Sequence, residues 1–96
     1  MKLSIIVPVF NVEDYIRLCI ESILRQGLDD DSYEIIIIND GTPDNSIEII
    51  ADIIEAHQNI RVINQENQGL STARNNGITA AKGEYILMPA PDDLHN

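Results

Sequence analysis

Apolar residues along this chain fall into two distinct rhythms. Four short runs are almost continuously apolar and rich in β-branched residues: "LSIIVPVF" near the start, "YEIIIIND" from Tyr33, "IRVINQ" from Ile60 and "EYILM" from Glu84. Such runs, lacking polar alternation, predict strands covered on both faces, as in a parallel sheet. Between them the spacing becomes helical. Val12, Tyr15, Ile16, Cys19, Ile20, Ile23 and Leu24 form one stripe, with Asn11 placed to cap it and Gly27 to end it. "SIEIIADIIEAH" predicts a second helix with Ile47, Ile50, Ala51 and Ile54 on its inner face, capped by Asp44 or Asn45. A third, from Leu70 to about Ala81, presents Leu70, Ala73 and Ile78 and is stopped by Gly83.

The order β-α-β-α-β-α-β with short links predicts an α/β domain over residues 1–96, a parallel sheet with right-handed crossovers. In such open sheets ligands bind beyond the carboxyl ends of the strands. The unusual polar clusters all fall there. Pro8, Val9, Phe10 and Asn11 follow the first strand, Asn39-Asp40-Gly41 the second, "QENQG" the third, and Asp92-Asp93 the fourth. Taken singly, each has an ordinary reading as a turn, a cap or a solvated residue. Their convergence on one rim favours a site.

The residue types suggest what that site would take. Asp40 can accept from a nucleobase N–H, and Phe10 offers an apolar face to a base. Arg74, near a helix N-terminus, opposes the macrodipole and calls for an anionic partner. Carboxylates such as Asp92 are hard oxygen donors suited to Mg²⁺ or Mn²⁺, which bridge to diphosphates.

Composition removes other classes. Sixteen acids against six bases give a formal charge of −10, the wrong sign for a nucleic-acid binder or a polybasic membrane patch. Cys19 is the single cysteine, so no intrachain disulfide forms, and its place in the helical stripe predicts a buried, inert thiol. The first ten residues are too short and too Pro-interrupted for a signal peptide, and no apolar segment reaches transmembrane length. The chain reads as cytoplasmic. No G-x-G-x-x-G or G-x-x-x-x-G-K-[ST] is present, and the acids of a phospho-receiver are missing after strands one and three. His57 and His95 lack a triad-like context.

Three blocks, "SIIVPVFNVEDYIRLCIESILRQ", "YEIIIINDGTPDNS" and "NQGLSTARNNGITAAKGEYI", together with the acids after the fourth strand, resemble the family 2 glycosyltransferases from Ser4 to about Asp93. The resemblance implies a three-layer, Rossmann-like GT-A half-domain with strand order 3-2-1-4 and helices on both faces. It implies transfer of a sugar from a UDP- or GDP-linked nucleotide-diphospho-sugar to a glycan acceptor, such as a cell-surface polysaccharide, with Mn²⁺ or Mg²⁺. By resemblance, Pro8, Val9, Phe10 and Asn11 border the donor base and ribose, and Asp40 binds the base. Arg74 and Asn75 match the family's A-R-N element beside the donor, and Asp92 is the retained metal-side carboxylate. Ala90 stands where the first acid of Asp-x-Asp-Asp is expected, and Asn39 replaces the first acid of Asp-Asp-Gly.

Domains of this family are roughly twice this length or more, within the usual range for a domain. The chain is therefore expected to be a donor-binding half, inactive alone, with the catalytic base in a part it lacks. In a full-length enzyme the inner face of the membrane is a compatible location. A non-catalytic nucleotide- or phosphate-binding module, or an interaction module, is the alternative. With order 3-2-1-4, right-handed crossovers put the first two helices on one face and the third on the other. One helix cannot cover four strands, and the fourth strand is left as an open edge, so self-association is expected, most simply as a dimer.

Overall fold

The computed structural model describes residues 1–89 of the chain. Its elements are β1 (Leu3–Val9), α1 (Ile16–Leu24), β2 (Tyr33–Asp40), α2 (Ser46–Ile49), α3 (Ala51–Ala56), β3 (Ile60–Gln65), α4 (Leu70–Ala80) and β4 (Tyr85–Leu87). The strands are all parallel and hydrogen-bond in the order β3-β2-β1-β4, as the resemblance implied.

Register divides the apolar runs into two cores. Ile5 lies beside Ile35, Ile6 beside Ile36 and Val7 beside Ile37, so alternate residues of both strands share a face. Ile5, Val7, Val9, Ile35 and Ile37 pack against Ile16, Cys19, Ile20 and Ile23 of α1 and against Ile50 and Ile53. Ile6, Ile36 and Ile38 face the other way, onto Ala73 of α4. Helices therefore cover both sides, with α1 to α3 on one and α4 alone on the other. Each fully buried Ile contributes about 1.5–3 kcal/mol, which makes β1 and β2 the energetic centre.

A polar unit is buried at the start of the α4 face. Glu34, 2% exposed, accepts from the Ser4 hydroxyl at 2.6 Å, the Lys82 N–H at 2.7 Å and Arg61 at 3.0 Å. Burial opposes its charge, but the Ser4, Lys82 and Arg61 bonds outweigh that and hold the carboxyl below its ordinary pKa. Arg61 also donates to the Ala80 carbonyl, and the Gly83 N–H to Ser4. The unit thus fastens the link between α4 and β4 to the sheet.

Several local expectations need correction. Asn11 does not cap α1: a turn intervenes, the helix begins at Ile16, and Asn11 adopts φ 55°. Gly27 takes φ 76° in the turn beyond Arg25, the C-cap, rather than ending the helix directly. The second helix is two pieces broken at Ile50. That break shifts the helical phase, so Ile50 and Ile53 are buried while Ala51 is exposed. On α4, Ala73 faces the sheet as expected, but Leu70 and Ile78 are 51% and 42% exposed, and Gly77 is buried in their stead. Small residues are required there: a Cβ on Gly77 would collide with Ile6 Cγ2. The fourth strand is short and uncovered, with Tyr85 62% and Leu87 52% exposed.

Candidate functional site

A cleft of about 510 Å³ opens beyond the carboxyl ends of the strands. Pro8, Val9, Phe10, Asn11, Val12 and Tyr15 form one wall, and Asn67, Gly69, Leu70, Ala73 and Arg74 the other, with Asp40 and Pro89 completing it. Pro8 is tolerated in a central strand because β4 pairs only as far as Ile5, leaving that side open.

Asp40 organises the wall contributed by the β3–α4 loop. It is 4% exposed, and both carboxylate oxygens are engaged by that loop. Oδ1 accepts from the Gln68 N–H and the Gln65 side chain, each at 2.8 Å. Oδ2 accepts from the Gly69 N–H at 3.1 Å and the Asn67 side chain at 3.3 Å. Burial works against the charge, but these donors outweigh it and hold the carboxyl below its ordinary pKa. Gly41 permits the close approach: it takes φ 67°, and a Cβ there would lie 2.8 Å from Asn67 N.

A second carboxylate braces the opposite wall. Asp44 Oδ1 accepts from the Thr42 and Ser46 hydroxyls, both at 2.6 Å, and from the Ser46 N–H at 3.1 Å. Its Oδ2 accepts from the Glu13 N–H at 3.1 Å. Thr42 in turn accepts the Asn11 N–H at 2.8 Å, which pins Asn11 in its left-handed conformation. Burial opposes ionisation of Asp44, yet the Ser46, Thr42 and Glu13 bonds bring its pKa down to about 2. Asp44 therefore caps the start of α2 through Ser46, while Asn45 makes no side-chain cap bond.

Arg74 lies one turn into α4 and lines the cleft. Its Nε is withdrawn from solvent and has no hydrogen-bond partner among the described residues. A buried donor left unsatisfied is rare and costs about 1–3 kcal/mol.

Pro8, Val9, Phe10, Asn11, Asp40 and Arg74, expected from the sequence, thus meet at one cleft. Asn75 does not join them; it is exposed on α4, outside the lining. Asp92 and Ala90 lie outside the described residues. Asn67, within the "QENQG" cluster, was expected on this rim; Tyr15 and Leu70 were not anticipated in the lining, nor Thr42, Asp44 and Ser46 as its brace. The "TPDNS" segment did carry a signal for the brace, since such side chains bond local N–H groups readily.

A parallel sheet of this order, with a mixed apolar and polar cleft past its strand ends, defines a Rossmann-like fold. Comparison with known proteins narrows the class. The model of glycosyl transferase family 2 matches residues 4–96, and the chain belongs to that family. It is 57% identical over 90 residues to the uncharacterized glycosyltransferase EpsJ of Bacillus subtilis, matching 94% of this chain and 26% of EpsJ. The chain therefore spans about a quarter of that relative. The crystal structure of S. aureus TarS 1-349 in complex with UDP-GlcNAc superposes with a TM-score of 0.88 at 29% identity, over 96% of this chain and 27% of TarS 1-349. The mannosyltransferase PcManGT of Pyrobaculum calidifontis, in complex with GDP-Man and Mn²⁺, gives 0.81 at 24% identity, over 99% of this chain and 30% of PcManGT. At that identity the likeness shows a shared fold.

Proposed function

We propose that the cleft binds the nucleoside diphosphate of a UDP- or GDP-linked sugar, and that this chain is the donor-binding part of a glycosyltransferase acting on a glycan acceptor. The observation that carries the proposal is Arg74, whose buried Nε lacks an acceptor at the cleft. A rotation of the side chain that brings the guanidinium onto a phosphate or carbonyl oxygen in the cleft would supply one, and a charge-assisted bond there is stronger than a neutral one. Family membership and the TarS complex with UDP-GlcNAc support the ligand class.

In this reading Phe10, Tyr15 and Leu70 offer apolar surface to the base, and Pro8, Val9 and Asn11 border base and ribose. Asp40 holds the loop beside the base with both oxygens already accepting two N–H donors each, so a base N–H reaches it by displacing the longest of them, the Asn67 amide at 3.3 Å. Asn75 stands outside the lining, and only the resemblance assigns it to the donor. The described residues contain no group of three or more His, Cys, Asp or Glu able to hold a metal. The carboxylate of Asp40 is already committed to N–H donors, so the described residues do not fit a metal centre by themselves. Mn²⁺ or Mg²⁺ would be held through Asp92 and would supply Lewis-acid stabilisation of a diphosphate. The base that activates the acceptor is proposed to lie outside these 96 residues.

The proposal includes a cytoplasmic setting; no helix among the described residues is long and apolar enough to cross a membrane. It also includes self-association of the 96-residue chain, supported by the exposed apolar strand β4. Titration of UDP and GDP with and without Mn²⁺ tests the core of it. UDP or GDP should bind the wild type, and Arg74→Ala should weaken binding by about ten-fold or more, the range for a lost charged hydrogen bond. Equal binding by Arg74→Ala would overturn the site.

A further inference from the structure

Asp40 does not shape the β3–α4 loop alone. Gln65 lies directly beside it in strand register. The Gln65 amide donates to Asp40 Oδ1 at 2.8 Å, the same oxygen that accepts the Gln68 N–H. The other end of that amide, Oε1, accepts a hydrogen bond from the side chain of Asn76. Asn76 is exposed on α4 and takes no part in the cleft lining.

An amide has one donating and one accepting end, whereas an ionised carboxylate only accepts. Asp40, which can only accept, therefore fixes which end of Gln65 meets it, and Asn76, with its own NH₂ on Gln65 Oε1, braces the amide in that orientation. Turned over, Gln65 would set oxygen against oxygen and compete with the N–H groups that Asp40 gathers. We infer that Gln65 is a positioning residue for the cleft and that Asn76 braces it, so that a side chain outside the site steadies the loop inside it. The inference rests on the reading of the cleft as a nucleoside-diphosphate site.

The test is a double-mutant cycle with two readouts, UDP affinity and backbone amide exchange at Gln68 and Gly69. Asn76→Ala keeps a good helix former at an exposed position, so the fold should survive it. Gln65→Met keeps the length of the side chain and removes both ends of the relay. Asn76→Ala should weaken UDP binding by about two- to ten-fold, the effect of one lost hydrogen bond. It should also speed exchange at Gln68 and Gly69. Gln65→Met should do at least as much, and in its background Asn76→Ala should add nothing. Additive effects, or unchanged exchange at both amides in Asn76→Ala, would overturn the relay. If the wild type binds neither UDP nor GDP, the exchange data alone decide the relay, and the nucleotide reading falls separately.

Discussion

The carboxylate of Asp40 accepts the backbone N–H of Gln68 at 2.8 Å, tying the end of β2 to the loop that enters α4. That bond and its neighbours make Asp40 a builder of the cleft as well as a candidate contact. Asp40→Asn would set an NH₂ group against N–H donors. It should cost about 1–3 kcal/mol of stability, as for a buried donor left unmatched. UDP binding should fall with it. Urea unfolding and calorimetry check the pair of effects.

Acid should act on the same bonds. The pKa of Asp44 is lowered to about 2 in the fold, so the stability it contributes is fully present above the ordinary carboxylate range. That stability is lost as pH falls from about 4, the unfolded value, towards 2. Asp40 is shifted in the same direction and adds to the loss. Asp44→Asn should be less stable than wild type at neutral pH and should lose less between pH 4 and 2. Thermal melts across that window would show it.

Gly77 marks the closest approach of α4 to the sheet. A methyl group there meets the Cγ2 methyl of Ile6, a side chain that is fully buried and cannot swing aside. Gly77→Ala should therefore destabilise by about 1–3 kcal/mol, as overpacking does, even though Ala favours helices. The double variant Gly77→Ala with Ile6→Val should not restore stability, because the clashing Cγ2 remains.

Strand β4 leaves Tyr85, Ile86 and Leu87 exposed beside an edge with unpaired backbone groups. Sedimentation at micromolar concentration should show dimers of the 96-residue chain. Leu87→Lys should shift the population to monomer, since charged side chains blunt sheet edges. A wild-type monomer that binds no hydrophobic dye would contradict the association.

Much of this was legible in the chain because burial on both faces leaves a continuous apolar run. "SIIVPV" and "IIII" could only be central strands, and the helical stripe from Ile16 to Ile23 named the core of α1. That Pro8 to Asn11, Asp40 and Arg74 share one cleft was legible because they follow strand ends or enter a helix. Other features depend on tertiary partners that no local pattern encodes. The break at Ile50 interrupts an apolar run that reads as one helix. Gly77 looks like a helix weak point until Ile6 is seen beneath it. Glu34 and Ser4 lie thirty residues apart and become a unit only when β1 and β2 pair. Asn75 fits a motif by spacing, yet its side chain stands outside the lining.

The central claim is that the cleft between Phe10 and Arg74 is the nucleotide site. Its most direct test is an amide ¹H–¹⁵N chemical-shift map of the wild-type chain titrated with UDP. Shifts should concentrate at Phe10, Asn11, Gln68, Gly69 and Arg74, and should leave the Glu34 and Lys82 amides at the far end of the sheet unmoved. Saturable shifts centred elsewhere, for instance along Asp29 to Ser32, would contradict it.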